Sequence, residues 1–164
     1  MSDSLVIIPT YNEKENINAI IRAVFNLPQV FDILIIDDNS PDGTATIVKN
    51  LQKEYPDKLH LLQRTGKLGL GTAYIAGFKW ALQKDYSYIF EMDADFWPMG
   101  RVLMSYFASK YVRIITGMKV HDTTAGFICY RRELLEAIDM DDLRFKGYAF
   151  QVEMKYTAYS LGFK

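Results

Sequence analysis

Apolar runs too short to be helices alternate along this chain with segments whose apolar residues recur at helical spacing. The runs fall at 5–8, 33–36, 59–62 and 88–90, each bounded by turn or polar residues, and they read as buried parallel strands. Between them, Ile17, Ile20, Ile21 and Val24, then Ile47, Val48 and Leu51, then Ala73, Ala76, Trp80 and Ala81 each mark one face of a helix. Strand, helix, strand, helix predicts a doubly wound, mostly parallel α/β sheet flanked by helices. In such a sheet ligands sit beyond the carboxyl ends of the strands, where the strand order reverses, so the chemistry is expected just after each strand.

The chain has 164 residues, enough to bury a single core as one domain over 1–164 and too few for a second. A formal net charge of -1 leaves no basic excess, which argues against duplex nucleic acid as a partner and requires any anionic ligand to be met locally. The single cysteine, Cys129, cannot close an intrachain disulfide; set in an apolar stretch, it is expected in the core. The amino terminus passes from Ser2, Asp3 and Ser4 straight into an apolar strand, without the basic region and cleavage site of a signal peptide. No uncharged apolar run approaches the roughly 20 residues of a spanning helix. A cytoplasmic location is expected, with any membrane met from the side.

Three polar clusters follow the strands: Pro9-Thr10-Tyr11-Asn12-Glu13, Asp37-Asp38-Asn39-Ser40 and Asp93-Ala94-Asp95. Thr10 and Glu13 also match a capping box, which accounts for both without a ligand. Asp37 and Asp38 equally suit a solvated turn opening the next helix at Pro41-Asp42-Gly43-Thr44. If the edge does take a nucleotide diphosphate, its carboxylates would repel the ligand, so a divalent cation has to intervene. Asp93 and Asp95, two apart on an extended segment, point similarly and suit a hard, oxygen-seeking ion, Mg2+ or Mn2+.

The stretch from Arg64 to Thr72 resembles a phosphate loop but fails on spacing. Thr72 and Ala73 follow Gly71, where a Walker A loop needs Lys and then Ser or Thr. The glycines instead let backbone approach a ligand or a strand, with Arg64 and Lys67 supplying positive charge. His60 and His121 lack ligand-spaced partners and are expected to be structural or exposed.

The clusters Pro9-Thr10-Tyr11-Asn12-Glu13, Asp37-Asp38-Asn39-Ser40-Pro41-Asp42-Gly43-Thr44, Gly69-Leu70-Gly71-Thr72-Ala73 and Met92-Asp93-Ala94-Asp95 occur in the order of a known family. So do Asp122-Thr123-Thr124-Ala125-Gly126-Phe127 and Gly147-Tyr148-Ala149-Phe150-Gln151-Val152-Glu153-Met154. Taken together, the chain resembles the polyprenol-phosphate (dolichol-phosphate) mannosyltransferases of the family-2 glycosyltransferases, which have the GT-A fold. The resemblance implies that Pro9, Tyr11, Glu13, Ile36, Asp38, Asp93 and Ala94 hold the nucleotide sugar, and that Asp93 and Asp95 bind Mg2+ or Mn2+. It implies GDP-mannose as donor, a polyprenyl phosphate as acceptor and inversion at the sugar carbon. Asp95, Arg101 and Asp122 are the expected catalytic residues, Arg101 matching an arginine for the acceptor phosphate. A turn or cap explains Asp122 as well, and a surface helix explains Gln151 and Glu153.

The resemblance also implies a further helix and strand between Phe96 and Trp97, and a final strand and basic tail past Lys164, for which this sequence has no matching residues. From Trp97 to Met118, Trp97, Met99, Leu103, Tyr106, Phe107, Tyr111 and Ile114 mix with Arg101, Lys110 and Arg113. That pattern serves an interfacial helix at a membrane surface and a core-packed helix equally. Two other functions stay open: transfer to a sugar hydroxyl in polysaccharide synthesis, which needs a general base, and an inactive nucleotide-sugar binding module.

Overall fold

The computed structural model describes residues 2–94, 127–145, 147 and 149–163. Strands β1 (Ser4–Thr10), β2 (Asp32–Asp37), β3 (Leu59–Gln63), β4 (Tyr88–Met92) and β5 (Phe127–Arg131) form one sheet in the order β3-β2-β1-β4-β5. The first four pair in parallel, as their continuous apolar runs predict for strands covered on both faces. β5, which no sequence signal marked, adds antiparallel to β4. Strand order reverses at β1, with β2 on one side and β4 on the other, so the ligand crevice is expected where β1 and β4 end.

Helices α1 (Ile17–Phe25) and α2 (Thr44–Leu51) cover one face, burying Ile17, Ile20, Ile21, Val24, Val48 and Leu51 against Val6, Ile8, Ile33 and Ile35. Helices α3 (Leu70–Leu82), α4 (Arg132–Ala137) and α5 (Ala149–Ser160) cover the other, over Leu5, Ile7, Leu34 and Ile36. Alternation along each strand sends neighbouring residues to opposite cores. Each fully buried Ile or Leu contributes roughly 1.5–3 kcal/mol.

The buried stripe of α3 is Gly71, Ala73, Tyr74, Gly77, Phe78 and Ala81, rotated from the one expected around Ala76 and Trp80, both of which are only partly buried. Gly77 explains the rotation. A Cβ there would lie 2.7 Å from Ile7 Cγ2 and 2.8 Å from Ile36 Cδ1, so α3 rests its backbone on the sheet. Its two flanking aromatic residues, Tyr74 and Phe78, then turn inward.

Cys129 is exposed, which corrects its expected place in the core. It stands opposite Phe90 on β5, and strand alternation gives the inward position to its neighbour Tyr130, 3% exposed. His60 is half-buried against the Trp80 ring at 4.9 Å. Among the described residues no helix is long and apolar enough to cross a membrane. The 97–118 segment and His121 lie outside the described residues.

Candidate functional site

Beyond the carboxyl ends of β1, β2 and β4 lies a cleft of about 280 Å³ lined by Pro9, Thr10, Tyr11, Glu13, Asp38, Lys67, Gly69, Leu70, Ala73, Asp93 and Ala94. Six of the seven residues expected to hold a nucleotide sugar meet there: Pro9, Tyr11, Glu13, Asp38, Asp93 and Ala94. Ile36 does not join them. Its side chain is wholly buried in the α3-facing core, against Gly77, because alternation along β2 turns it inward. Asp95, Arg101 and Asp122 lie outside the described residues.

The first loop is built by side chains rather than by a capping box. The Thr10 hydroxyl shares its one hydrogen between Ile36 O at 3.4 Å and Asp37 Oδ1 at 3.3 Å, while Asn16, not Thr10, occupies the N-cap position of α1, without a side-chain capping bond. Glu13 accepts from Asn16 Nδ2 at 3.0 Å, and its own amide donates to Thr44 Oγ1 at 3.0 Å. The Lys14 amide donates to Asp42 Oδ2 at 3.0 Å, which ties the loop after β1 to the loop after β2. Asn12 and Asn39 sit at φ 61° and 58°, left-handed positions that asparagine tolerates in tight turns.

Neither Asp37, which ends β2, nor Asp38, which follows it, belongs to a solvated turn. Asp37 is fully buried and accepts from the Ser40 amide at 3.0 Å and its hydroxyl at 2.6 Å. Asp38 is gripped by both arms of Arg64: Nε donates to Oδ1 and Nη2 to Oδ2, each at 2.6 Å, with the two side chains 9% and 10% exposed. Arg64 Nη1 also donates to Thr72 Oγ1 at 2.8 Å, and Thr72 Oγ1 donates to Gly69 O at 2.7 Å. The glycine-rich loop is thereby clamped across the cleft, entering α3 through Gly69 at φ 103°, a backbone state that disfavours side chains. Lys67 lies over the Tyr11 ring, 4.5 Å from its centroid, and brings a positive charge to the cleft wall.

At the tip of β4, Asp93 Oδ1 accepts from the Tyr74 hydroxyl at 2.8 Å. Burial, and then the Asp93 charge, hold Tyr74 well above the usual phenol range, so it remains a donor at any working pH. Two residues earlier, Glu91 is fully buried, and neither carboxyl oxygen has a hydrogen-bond partner. Burial first, and then Asp93, push its carboxyl up to about 8, so near pH 7 it is largely neutral. Tyr130 stands close enough that it and Glu91 shift each other's titration, though no hydrogen bond of good geometry joins them. The sequence did carry a signal for Glu91, a lone acid inside the apolar run Ile89-Phe90-Glu91-Met92. No spacing pattern marked Tyr74 as a residue of the site.

No group of three or more His, Cys, Asp and Glu gathers for a metal among the described residues. Asp93 is the described carboxylate on the β4 side of the cleft, and its hard oxygens are the donor type that Mg2+ and Mn2+ take.

Residues 5–104 match the glycosyl transferase family 2 model. A polyprenol monophosphomannose synthase of Mycolicibacterium smegmatis is 39% identical over 194 aligned residues, covering 98% of this chain and 73% of that protein. An undecaprenyl-phosphate mannosyltransferase of Micrococcus luteus is 37% identical over 191, covering 96% and 78%. Both alignments are longer than the 164 residues here, so these relatives carry residues with no counterpart in this chain. A mannosyltransferase from Pyrobaculum calidifontis, solved with GDP-Man and Mn2+, superposes with a TM-score of 0.62 at 19% identity, over 93% of this chain and 51% of that one. The chain thus spans about half the length of that structure, and the likeness establishes the GT-A fold alone. With a cleft at the strand-order reversal, a family match over more than half its length and relatives aligned along nearly all of it, the chain belongs to glycosyltransferase family 2.

Proposed function

We propose that this chain transfers mannose from GDP-mannose to a polyprenyl phosphate with inversion at the sugar carbon. The observation that carries the reading is the convergence in one cleft of Pro9, Tyr11, Glu13, Asp38, Asp93 and Ala94, supported by what the two curated relatives are named for. Pro9, Tyr11, Glu13 and Asp38 hold the nucleotide, with Arg64 fixing Asp38 and Lys67 adding charge toward the phosphates. Asp93 and Asp95 hold Mg2+ or Mn2+, as the hard-oxygen character of the cleft's β4 side suits. A bound divalent ion neutralises the diphosphate and stabilises it as a leaving group.

The acceptor needs little help from the protein. A phosphate monoester has a second pKa near 6, so much of it is dianionic at neutral pH and attacks without a strong general base. What remains is alignment of acceptor oxygen, anomeric carbon and leaving diphosphate, worth several kcal/mol on its own. Arg101 meets the acceptor phosphate and Asp122 faces the acceptor. The enzyme works peripherally at the cytoplasmic face of a membrane, where the acceptor tail resides. The residues that the relatives carry in excess belong between Phe96 and Trp97.

Incubating the full chain with GDP-mannose, Mn2+ and polyprenyl phosphate is expected to yield a lipid-linked mannose, detected by solvent extraction. Absence of any such product across donors and metals refutes the reading.

A further inference from the structure

A carboxylate on a strand tip must be held in one rotamer if it is to meet a metal, and side-chain freedom otherwise weakens the site. For Asp93 the restraint runs through three elements. The Tyr74 hydroxyl donates to Oδ1 at 2.8 Å from a side chain with no solvent exposure. The Tyr74 ring in turn lies parallel to Phe150 of α5, at 6.2 Å with an interplanar angle of 7°, and stacks on Phe78 at 6.3 Å.

The position of Phe150 is itself set by close packing. A Cβ at Gly71 would fall 2.8 Å from Phe150 Cβ and Cγ and 2.9 Å from the Phe145 carbonyl oxygen, so α5 and the loop before it abut the α3 backbone. Glu153 anchors that loop, accepting from the amides of Arg144 and Phe145 at 3.1 Å. Phe150, from the Gly147-to-Met154 motif, thus reaches the cleft-lining Asp93 through Tyr74. Glu153 is occupied in holding a loop, and Gln151 is fully buried.

We propose that Tyr74 is a positioning residue for Asp93, orienting its carboxylate for the divalent ion, and that Phe150 fixes Tyr74 for this task. The proposal rests on the metal reading above. Tyr74 acts through Asp93; no step of the transfer passes through the hydroxyl itself.

The test measures Mn2+ binding to the full chain in the presence of GDP, by the loss of the free-ion electron paramagnetic resonance signal. It compares the parent with Tyr74→Phe and Phe150→Leu. Tyr74→Phe is expected to keep its fold by circular dichroism and to bind Mn2+ about tenfold more weakly, the lower range for partners that orient metal ligands. The Mn2+ needed for half-maximal turnover rises by the same factor, and kcat at saturating Mn2+ returns to within about threefold of the parent. A folded Tyr74→Phe whose Mn2+ affinity stays within twofold of the parent overturns the tyrosine's role and leaves the metal reading standing. A parent that binds no Mn2+ with GDP overturns both. Should Tyr74→Phe fail to fold, Phe150→Leu decides: weakened Mn2+ binding supports the proposal, and parent-like binding overturns it.

Discussion

Replacing Arg64 with Met tests how the cleft is held open. Its guanidinium makes two 2.6 Å bonds to Asp38, and both side chains are about nine-tenths buried, so little solvent screens the pair. Removing one partner leaves a buried carboxylate uncompensated, at a cost of about 3–5 kcal/mol. Loss of the bond to Thr72 lies within that range, since the hydroxyl keeps Gly69 O as its acceptor. For a chain of this size the cost corresponds to a fall in melting temperature of roughly 6–20 °C. Asp38→Leu is expected to cost a similar amount, because it strands the guanidinium. The double variant, with both charges replaced by apolar groups, recovers most of the loss, since an intact buried pair is worth little more than good apolar packing. Urea denaturation of the four proteins gives the coupling energy. A coupling below about 1 kcal/mol, or a cost for Arg64→Met alone in that range, refutes the reasoning and places the pair among solvated surface bridges. GDP binding separates fold from site: the double variant regains stability but still binds GDP more weakly, because Asp38 lines the cleft.

Gly77→Ala gains about 1 kcal/mol of helix propensity but drives a Cβ to 2.7 Å from Ile7 Cγ2, so a net loss of about 1–2 kcal/mol is expected in urea melts. His60 is held below its ordinary 6.5 by burial first, with Lys84 adding and Asp32 and Asp57 opposing. The unfolded chain therefore binds the proton more readily, and stability falls as pH drops below about 6.5 until the folded value is passed. Urea midpoints measured from pH 7.5 to 5 should show this slope, and His60→Gln should flatten it. Chelation with EDTA is expected to abolish mannose transfer, and added Mn2+ to restore it. Asp93→Asn and Asp95→Ala each lower turnover on the order of 10²-fold or more while leaving the circular dichroism spectrum unchanged.

Much of the fold was legible because parallel strands buried on both faces read as continuous apolar runs, and all four such runs became strands paired in parallel. β5 was not legible, since Phe127-Ile128-Cys129-Tyr130-Arg131, last in the sheet among the described residues, is only partly covered and has a weaker pattern. The rotation of α3 escaped for a different reason: periodicity sees apolar side chains, whereas Gly77 shapes the packing by lacking one. Within the cleft, the residues after β1, β2 and β4 were visible as polar clusters. Ile36 entered the same set through family resemblance, and strand alternation turns it into the core.

What the amino-acid order determines alone is the alternation of elements, and with it the rule that polar residues after the strands gather at one edge of the sheet. It also places Asp93 directly after an apolar strand, a relation local in the chain. Contacts between distant residues were decided only in three dimensions: Arg64 on Asp38, Tyr74 on Asp93, Phe150 on Tyr74 and Gly71. These depend on how α3 and α5 settle on the sheet, and that settling follows from side-chain volume and close packing, which no one-dimensional period records.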